Sequence, residues 1–153
     1  MPTAIICIGV PGSGKTTLLK KSVRARDGVV YICPDDIRFE LTGNASDQTR
    51  NREVWSEAYR RIHEALEAGR DVAVDATNAA QADRLRLVEH CRLKASSVIG
   101  FWVRTPLEVC LQRNSKRSRV VPVASIKKMA KQLRQHPPSV KEGFDEVMEV
   151  MGE

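Results

Sequence analysis

The sequence lacks the features that mark secreted, membrane-spanning and zinc-binding proteins. No apolar run approaches the roughly 20 residues that a membrane-spanning helix needs, and Met1 leads directly into an apolar segment without a basic leader or a cleavage site. The four cysteines, at positions 7, 33, 91 and 110, form no Cys-x-x-Cys pair and suit neither a zinc site nor a disulfide framework. We therefore expect no membrane partner, a reducing cytoplasm, and cysteines that are small buried hydrophobes.

The composition shows no sign of disorder, internal repeats or a second domain. Hydrophobic residues make up 42% of the chain and charged residues 29%, which is ordinary for a globular protein. Because single cores typically contain about 100–200 residues, we expect one domain over residues 1–153.

Basic residues outnumber acidic residues by 25 to 19, which gives a net charge of +6. A surplus of this sign favours polyanionic partners. Part of it lies in one late segment, which contains Lys116, Arg117, Arg119, Lys127, Lys128, Lys131 and Arg134. A charge cluster is also typical of a solvated helix face, and composition alone does not separate the two interpretations.

Short apolar runs alternate with helical segments along the sequence. The runs predict strands at 3–8, 29–33, 71–75, 98–103 and 146–151. Six helices are expected between them, beginning near Lys15, Asp35, Ser46 or Asp47, Asn78, Thr105 and Pro122. Asp35 and Asn78 would be N-caps, and the fourth helix would carry Ala82, Leu85, Val88 and Cys91 on its apolar face. This order predicts an α/β fold with a parallel sheet of about five strands and helices on both faces.

A glycine-rich segment between the first strand and the first helix fits a phosphate-binding loop. Residues 9–16, GVPGSGKT, match G-x-x-x-x-G-K-[ST] at every fixed position. The glycines let backbone N–H groups turn towards phosphate oxygens at the positive end of the following helix. Lys15 would reach the β- and γ-phosphates, and the Thr16 hydroxyl would bind Mg²⁺. The pattern predicts ATP and Mg²⁺ as cofactors, held by Gly12, Ser13, Gly14, Lys15, Thr16 and Thr17.

The loop alone does not separate kinases from motor ATPases, GTPases or regulatory nucleotide switches. The sequence contains no N-K-x-D guanine-specificity signature. The apolar run 72–75 ends in Asp75 and resembles a Walker B element, which would place this carboxylate beside the phosphate-binding loop. The same residues also fit an ordinary strand end.

An aspartate and an arginine directly after the second strand indicate an acceptor site. In open α/β sheets this position faces the ligand crevice. Asp35 could accept a proton from an attacking hydroxyl there, as a catalytic-loop aspartate does in protein kinases. Arg38 follows one helical turn later, so both side chains could address the same reaction centre. Alternatively, Asp35 serves only as a helix cap.

The basic segment RNSKRSR at 113–119 lies between two predicted helices. A segment in this place suits a lid that closes over ATP and offers an arginine to the migrating phosphoryl group. Arginine suits that role because its charge persists and its planar fork matches phosphate. A solvated loop, or one that touches nucleic acid, is the other interpretation. We refer to residues 113–122 as the lid segment.

Taken together, these blocks resemble the kinase domain of the bacteriophage and bacterial 5′-polynucleotide kinase family. The likeness lies in GVPGSGKT at 9–16, DDIR at 35–38, DATN at 75–78, and RNSKR at 113–117 followed by Val121 and Pro122. Their order and spacing agree from residue 3 to about residue 135. The first block is widespread, whereas the combination of all four is considerably more specific.

The resemblance implies a P-loop kinase fold and a role for each matched residue. Asp35 would be the general base on a 5′-hydroxyl of DNA or RNA, and Arg38 would hold the acceptor-side phosphate. The acceptor pocket would be shaped by Asp75, Thr77 and Asn78, which would also orient Arg38, and its entrance would be lined by Val121 and Pro122. Arg117 would be the lid arginine on the ATP phosphates, and Arg113 would flank the adenine. The cytoplasm would be that of a bacterium or a phage-infected host.

The sequence departs from that family in two ways, which limit the activities and residue roles that the resemblance implies. The sequence has no D-x-D-G-T motif, so we do not expect the 3′-phosphatase activity to which many relatives are fused. The lid segment is a residue shorter between Arg117 and Pro122, so the register assigns no role to Arg119. A phage kinase of hydroxymethylated bases, a small-metabolite kinase and an ATP-dependent nucleic-acid-binding module remain alternatives, and the oligomeric state is open.

Overall fold

The computed structural model of the protein describes residues 2–152 and has a five-stranded parallel sheet covered by helices. The strands are β1 (Thr3–Ile8), β2 (Val30–Ile32), β3 (Val72–Asp75), β4 (Ser97–Arg104) and β5 (Glu146–Met151). The helices are α1 (Lys15–Arg24), α2 (Pro34–Thr42), α3 (Asn51–Glu67), α4 (Gln81–Arg92), α5 (Leu107–Ser115) and α6 (Val123–Gln135), and a 3₁₀ turn spans Val140–Glu142. The sheet order is β2-β3-β1-β4-β5, with every neighbouring pair parallel. The predicted α/β, P-loop kinase-like fold is confirmed.

The central strands explain why the sheet is parallel. β1 and β3 are buried almost throughout, and their continuous apolar sequences lack the in–out alternation of a half-exposed strand. Because all strands point the same way, the segments after β1, β2, β3 and β4 leave from one edge of the sheet. The functional segments predicted from the sequence therefore meet at that edge.

The two faces of the sheet are covered unequally. Ala4, Ile6 and Ile8 of β1 belong to a large core that includes buried residues of α2, α3, α4, α5 and α6. Ile5 and Cys7 point the other way, into a small core completed by Leu19 of α1. Helices lie on both faces, as predicted, but most of the apolar burial is on one. Within residues 2–152, none of the helices is long and apolar enough to cross a membrane.

The starts of α2 and α3 differ from the sequence expectations. Helix α2 begins at Pro34, with Cys33 at the N-cap position, so Asp35 lies in the first turn and the capping prediction is wrong. Proline is tolerated there because the first helical N–H has no partner within the helix. Helix α3 begins at Asn51 rather than near Ser46, because Asn44 and Asp47 accept backbone hydrogen bonds in turns before it.

The fourth helix departs furthest from its sequence prediction. Its N-cap is Ala80, whereas Asn78 has a left-handed φ of 47° and donates its side-chain amide to the carbonyl of Cys7 at 2.8 Å. Leu85, predicted on the apolar face, is 44% exposed, and Arg84 is fully buried. The hydrophobic pattern was misleading because the buried face includes an arginine.

Arg84 is buried inside a network of polar partners. Its guanidinium donates to both carboxylate oxygens of Glu142, at 2.9 and 2.7 Å, and to the backbone carbonyls of Asn78, Ala79 and His136. The side chains of Arg84 and Glu142 are 0% and 3% exposed. A buried charge with all donors satisfied is tolerated, and here it ties the segment after β3 to the segment after α6.

We expect Glu142→Ala to lower the free energy of unfolding by about 3–5 kcal/mol, because it leaves the Arg84 guanidinium buried without its counter-ion. Urea denaturation measures the loss. Arg84→Met combined with Glu142→Leu should recover only part of it, since it removes the desolvated charge but leaves the carbonyls of Asn78, Ala79 and His136 without their donor. The exposed Arg60, which pairs with Glu57 and Glu64, provides the control, and Arg60→Ala should leave stability nearly unchanged. Equal effects of Glu142→Ala and Arg60→Ala would contradict this interpretation.

Candidate active site

The glycine-rich loop turns tightly between β1 and α1. Gly12 and Gly14 have φ of 84° and 87°, in the left-handed region that favours glycine. A Cβ on Gly12 would lie 2.4 Å from the carbonyl oxygen of Cys110, so this position also has no room for a side chain. The Thr105 hydroxyl donates to the carbonyl of Ser13 at 2.6 Å and braces the loop from the end of β4. These contacts fix the loop conformation that a phosphate cradle requires.

Asp75 lies beside the first turn of α1. The Thr16 hydroxyl donates to Asp75 Oδ2 at 2.8 Å, and the Tyr31 hydroxyl donates to the same oxygen. Burial raises the pKa of Tyr31, and the hydrogen bond to Asp75 raises it further, so the phenol stays protonated and acts as a donor. Tyr31 was missed in the sequence because a tyrosine in a strand is usually a packing residue, and no local motif marks it.

Two thiols near this carboxylate are held in the protonated form. Burial, followed by the negative charge of Asp75, raises the pKa of Cys7 to about 12, although Lys15 partly opposes the shift. Burial also raises the pKa of Cys33 to about 11. Both groups are therefore neutral near pH 7, and neither behaves as a nucleophile.

The oxygen donors here suit Mg²⁺. Magnesium is usually held by one or two carboxylates or hydroxyls, several waters and substrate phosphates rather than by a full protein cage. Thr16 and Asp75 supply such a partial set. No cluster of three or more His, Cys, Asp or Glu residues with metal-binding geometry occurs in residues 2–152, so a softer, fully protein-bound metal does not fit the described part of the chain.

Asp35 and Arg38 meet on the first turns of α2. Arg38 Nη1 donates to Asp35 Oδ1 at 2.5 Å, and its Nε and Nη2 donate to Asn51 Oδ1 at 3.2 and 3.0 Å. The Arg38 side chain is 6% exposed, whereas that of Asp35 is 50% exposed. The arginine is thus buried and held by two partners, whereas the carboxylate is open to solvent.

Within residues 2–152, no side-chain hydrogen bond joins Arg38 to Asp75, Thr77 or Asn78, which the resemblance had assigned to orient it. Thr77 accepts a backbone hydrogen bond from Gly9 at 3.0 Å, and Asn78 bonds to Cys7, so this segment braces the glycine-rich loop. Asn51, at the start of α3, holds Arg38 instead. Asn51 was missed in the sequence because it lies 13 residues from Arg38, beyond any helical spacing.

The lid segment begins within helix α5 rather than in a loop. Helix α5 extends to Ser115, so Arg113 and Asn114 lie in its last turns. Asn114 is buried and clamps the far end of the lid segment, donating to the Val121 carbonyl at 2.8 Å and accepting from the Val121 N–H at 3.0 Å. Pro122 is exposed at the N-cap of α6.

The lid arginines point to different places. Arg113 Nη1 lies 3.5 Å from the carbonyl of Gly12, against the glycine-rich loop. Arg117 is exposed and makes no side-chain hydrogen bond or ion pair within residues 2–152, so its role on ATP stays a prediction. Arg119 donates to Asp35 Oδ2 at 3.0 Å and to the Ser46 hydroxyl at 2.8 Å. The lid segment therefore reaches Asp35 through Arg119, the residue to which the sequence resemblance assigned no role.

We expect Gly12→Ala to weaken ATP binding roughly tenfold or more, because the loop must shift to relieve the contact between the new Cβ and Cys110. A tenfold loss of affinity corresponds to about 1.4 kcal/mol of binding free energy. Titration with a fluorescent ATP analogue measures this. Gly43→Ala is the matched control, since Gly43 has a φ of 75° but its Cβ would meet open space. It should cost about 1–2 kcal/mol of stability while leaving ATP affinity unchanged. Normal ATP binding by a folded Gly12→Ala protein would contradict the prediction.

Comparisons with known proteins agree with this geometry. The sequence profile of a family described as an AAA domain matches residues 5–136. The chain is similar to an adenylyl-sulfate kinase of Lactiplantibacillus plantarum, with 32% identity over 119 residues, which cover 71% of this chain and 54% of that protein. It spans only about half the length of that relative.

Solved structures give the same architecture. A chain of the Pnkp1/Rnl/Hen1 RNA repair complex matches with a TM-score of 0.81 and 25% identity, over 94% of this chain and 46% of that one. A gluconokinase from Sinorhizobium meliloti matches with a TM-score of 0.63 and 20% identity, over 99% of this chain and 83% of that one, and shares the fold. The profile match covers most of the chain and includes its glycine-rich loop, so the protein belongs to this AAA domain family.

Proposed function

We propose that the protein transfers the γ-phosphate of ATP to the 5′-hydroxyl end of DNA or RNA. The observation that carries the proposal is the Asp35–Arg38 pair, which follows β2 at the sheet edge that also carries the glycine-rich loop and is contacted by Arg119 of the lid segment. A carboxylate with a fixed guanidinium beside it suits a hydroxyl acceptor that carries a neighbouring phosphate.

The comparison with the RNA repair complex supports a nucleic-acid acceptor. The match to a chain of that complex extends over nearly the whole of this chain. The net charge of +6 and the basic lid segment are also suited to a polyanionic substrate.

The residues divide between the two substrates. Lys15, Arg113 and Arg117 would neutralise charge on the ATP phosphates and flank the nucleotide, and Thr16 with Asp75 would hold Mg²⁺, which offsets charge on the transferring group. Arg38 would bind the phosphate next to the acceptor hydroxyl, and Val121 and Pro122 would line the entrance. Asp35 would take the hydroxyl proton as that oxygen bonds to the γ-phosphorus and ADP leaves.

The carboxylate of Asp35 can accept this proton while it keeps its arginine contacts. Arg38 uses Oδ1 and Arg119 uses Oδ2, yet an ionised carboxylate offers about four acceptor sites. The two guanidiniums also fix its orientation. Positioning of this kind, together with electrostatic stabilisation, supplies most of the catalysis in phosphoryl transfer.

A small anionic metabolite is the second candidate acceptor. The 32% identity to an adenylyl-sulfate kinase favours it, because that similarity spans 71% of this chain. An anionic small molecule could use Arg38 and Arg119 as readily as a nucleic-acid end could. A hydroxymethylated base in DNA would use the same pair.

The test is transfer of labelled γ-phosphate to a panel of acceptors by the wild-type protein and by Asp35→Asn. The panel contains matched oligonucleotides with 5′-hydroxyl or 5′-phosphate ends, 5′-phosphorylated strands with hydroxymethyl bases, adenylyl sulfate and gluconate. We expect label on 5′-hydroxyl ends. Asp35→Asn should reduce transfer about 10²–10⁴-fold, the usual contribution of a general base, while ATP binding is retained.

Asp36→Asn is the matched control, because it removes a neighbouring exposed carboxylate and should leave transfer intact. Label confined to adenylyl sulfate or gluconate would replace the proposal with a metabolite kinase. Label confined to hydroxymethyl strands would move the acceptor to a base. ATP binding without transfer to any acceptor would indicate a binding module.

Removal of the Tyr31 hydroxyl tests the magnesium assignment. Tyr31→Phe should raise the Mg²⁺ concentration needed for half-maximal ATP binding about 10- to 100-fold, the usual effect of losing a hydrogen bond that orients a metal ligand. Tyr59→Phe removes a hydroxyl that makes no hydrogen bond within residues 2–152 and serves as the control. An unchanged Mg²⁺ requirement in Tyr31→Phe would separate Asp75 from the metal.

A further inference from the structure

A groove of about 750 Å³ lies between α3 and α4, away from the glycine-rich loop. Its lining is formed by Asn51, Arg52, Trp55, Ser56 and Tyr59 of α3 and by Asp83 and Arg86 of α4. Asn51, Trp55 and Tyr59 are four residues apart, so they share one helix face and form a continuous stripe. None of the roles described so far uses this stripe beyond Asn51.

The groove contains aromatic rings that are partly open to solvent. The ring centroids of Trp55 and Tyr59 are 5.7 Å apart, and both residues are half-buried. Tyr59 also stacks on His90 of α4, with centroids 3.8 Å apart and an interplanar angle of 15°. Such stacking holds the Tyr59 ring in place, which lowers the entropic cost of adding another planar group.

Two arginines flank the aromatic stripe from the two helices. Arg52 is exposed and has no ion-pair partner within residues 2–152. Arg86 lies 3.6 Å from Asp83, and the two side chains are 61% and 58% exposed. An exposed pair at this separation is weak. Arg86 can therefore exchange Asp83 for a stronger partner such as a phosphate, which it can contact with two N–H groups.

The groove and the Asp35–Arg38 pair share one residue. Asn51 lies in the groove lining, and its Oδ1 accepts the two hydrogen bonds from Arg38. The groove therefore begins at a residue that contacts Arg38, and the stripe of Trp55 and Tyr59 extends from Asn51 along α3.

We propose that this groove binds the single strand that follows the 5′ end, an inference that rests on the proposed nucleic-acid acceptor. Bases stack on Trp55 and Tyr59, while Arg52 and Arg86 contact the phosphates. Stacking surfaces combined with arginines are how proteins bind single strands without reading sequence, because every base has a π-face. A small metabolite held at Arg38 would not extend along the groove.

The neighbouring surface limits how far the strand follows α3. The next depression along the helix is lined by Arg60, His63, Glu64, Glu67 and Ala68. Arg60 is already paired there with Glu57 and Glu64, and Glu67 with Lys94. The carboxylates repel phosphates, so the binding surface is confined to a few nucleotides next to the acceptor end.

The test is a length series of single-stranded 5′-hydroxyl acceptors, from a dinucleotide to a strand long enough to fill the groove. In the wild type we expect KM to fall with length. Arg52→Ala combined with Arg86→Ala should remove that dependence and lower the slope of log KM against log salt by about 1.4, or about 0.7 for each phosphate that is no longer neutralised. Turnover of the dinucleotide should be unchanged.

Trp55→Ala should raise KM for the long strand about tenfold, within the range for one base–aromatic stack. Because Trp55 is half-buried, the double arginine variant, which changes exposed residues, keeps the test independent of folding. Arg24→Ala is the matched control, since Arg24 is an exposed arginine of α1 on the opposite face of the sheet. It removes the same charge as either arginine change alone and should leave the length dependence intact.

A binding measurement separates the groove from the reaction. The ligand is an oligonucleotide that cannot accept phosphate, and its binding is detected by the fluorescence of Trp55 in a Trp102→Phe protein, which has no other tryptophan. Quenching that is abolished in the double arginine variant supports the groove, even if no nucleic acid is phosphorylated and the proposed function fails. Equal KM for short and long acceptors, or a length dependence unaffected by the variants, overturns the groove and leaves the proposed function standing. Absence of both transfer and binding overturns both.

Discussion

The candidate site depends on the pairing of β1 with β3. In this register Cys7 lies opposite Asp75, so the glycine-rich loop and the carboxylate leave the same edge of the sheet at the same height. Asn78 then bonds to the carbonyl of Cys7, and Gly9 bonds to that of Thr77. A one-residue slip would turn Asp75 to the opposite face and separate it from Thr16. Both strands are buried, so this part of the site is fixed before any substrate binds.

The Asp35–Arg38 pair is held by different forces. Asp35 is half-exposed, and the contacts that position it come from arginines of α2 and of the lid segment rather than from core packing. Exposed polar contacts exchange with solvent and ligands more easily than buried apolar ones. The part of the site around Asp75 is therefore the more rigid of the two, and the part around Asp35 is the more adaptable.

Two predictions for the segment around α4 were wrong for the same physical reason. Arg84 is buried where Leu85 was expected, because Glu142 neutralises it from 58 residues away. Asn78 was expected to cap α4, but its amide is used across the sheet, 71 residues from its partner. Hydrophobic periodicity and capping rules consider neighbours within about one helical turn. A polar partner brought close by the fold lies outside their range.

The sequence by itself determined the strand and helix order, the glycine-rich loop, the spacing of Asp35 and Arg38, and the acid at the end of β3. Each of these follows from local chemistry, such as a turn that needs glycine or a run that must be buried. Only the tertiary structure decided that Tyr31 would share Asp75 with Thr16, that Asn51 would hold Arg38, and that Arg119 would reach Asp35. Those contacts join separate elements, and their geometry comes from how the sheet and helices pack.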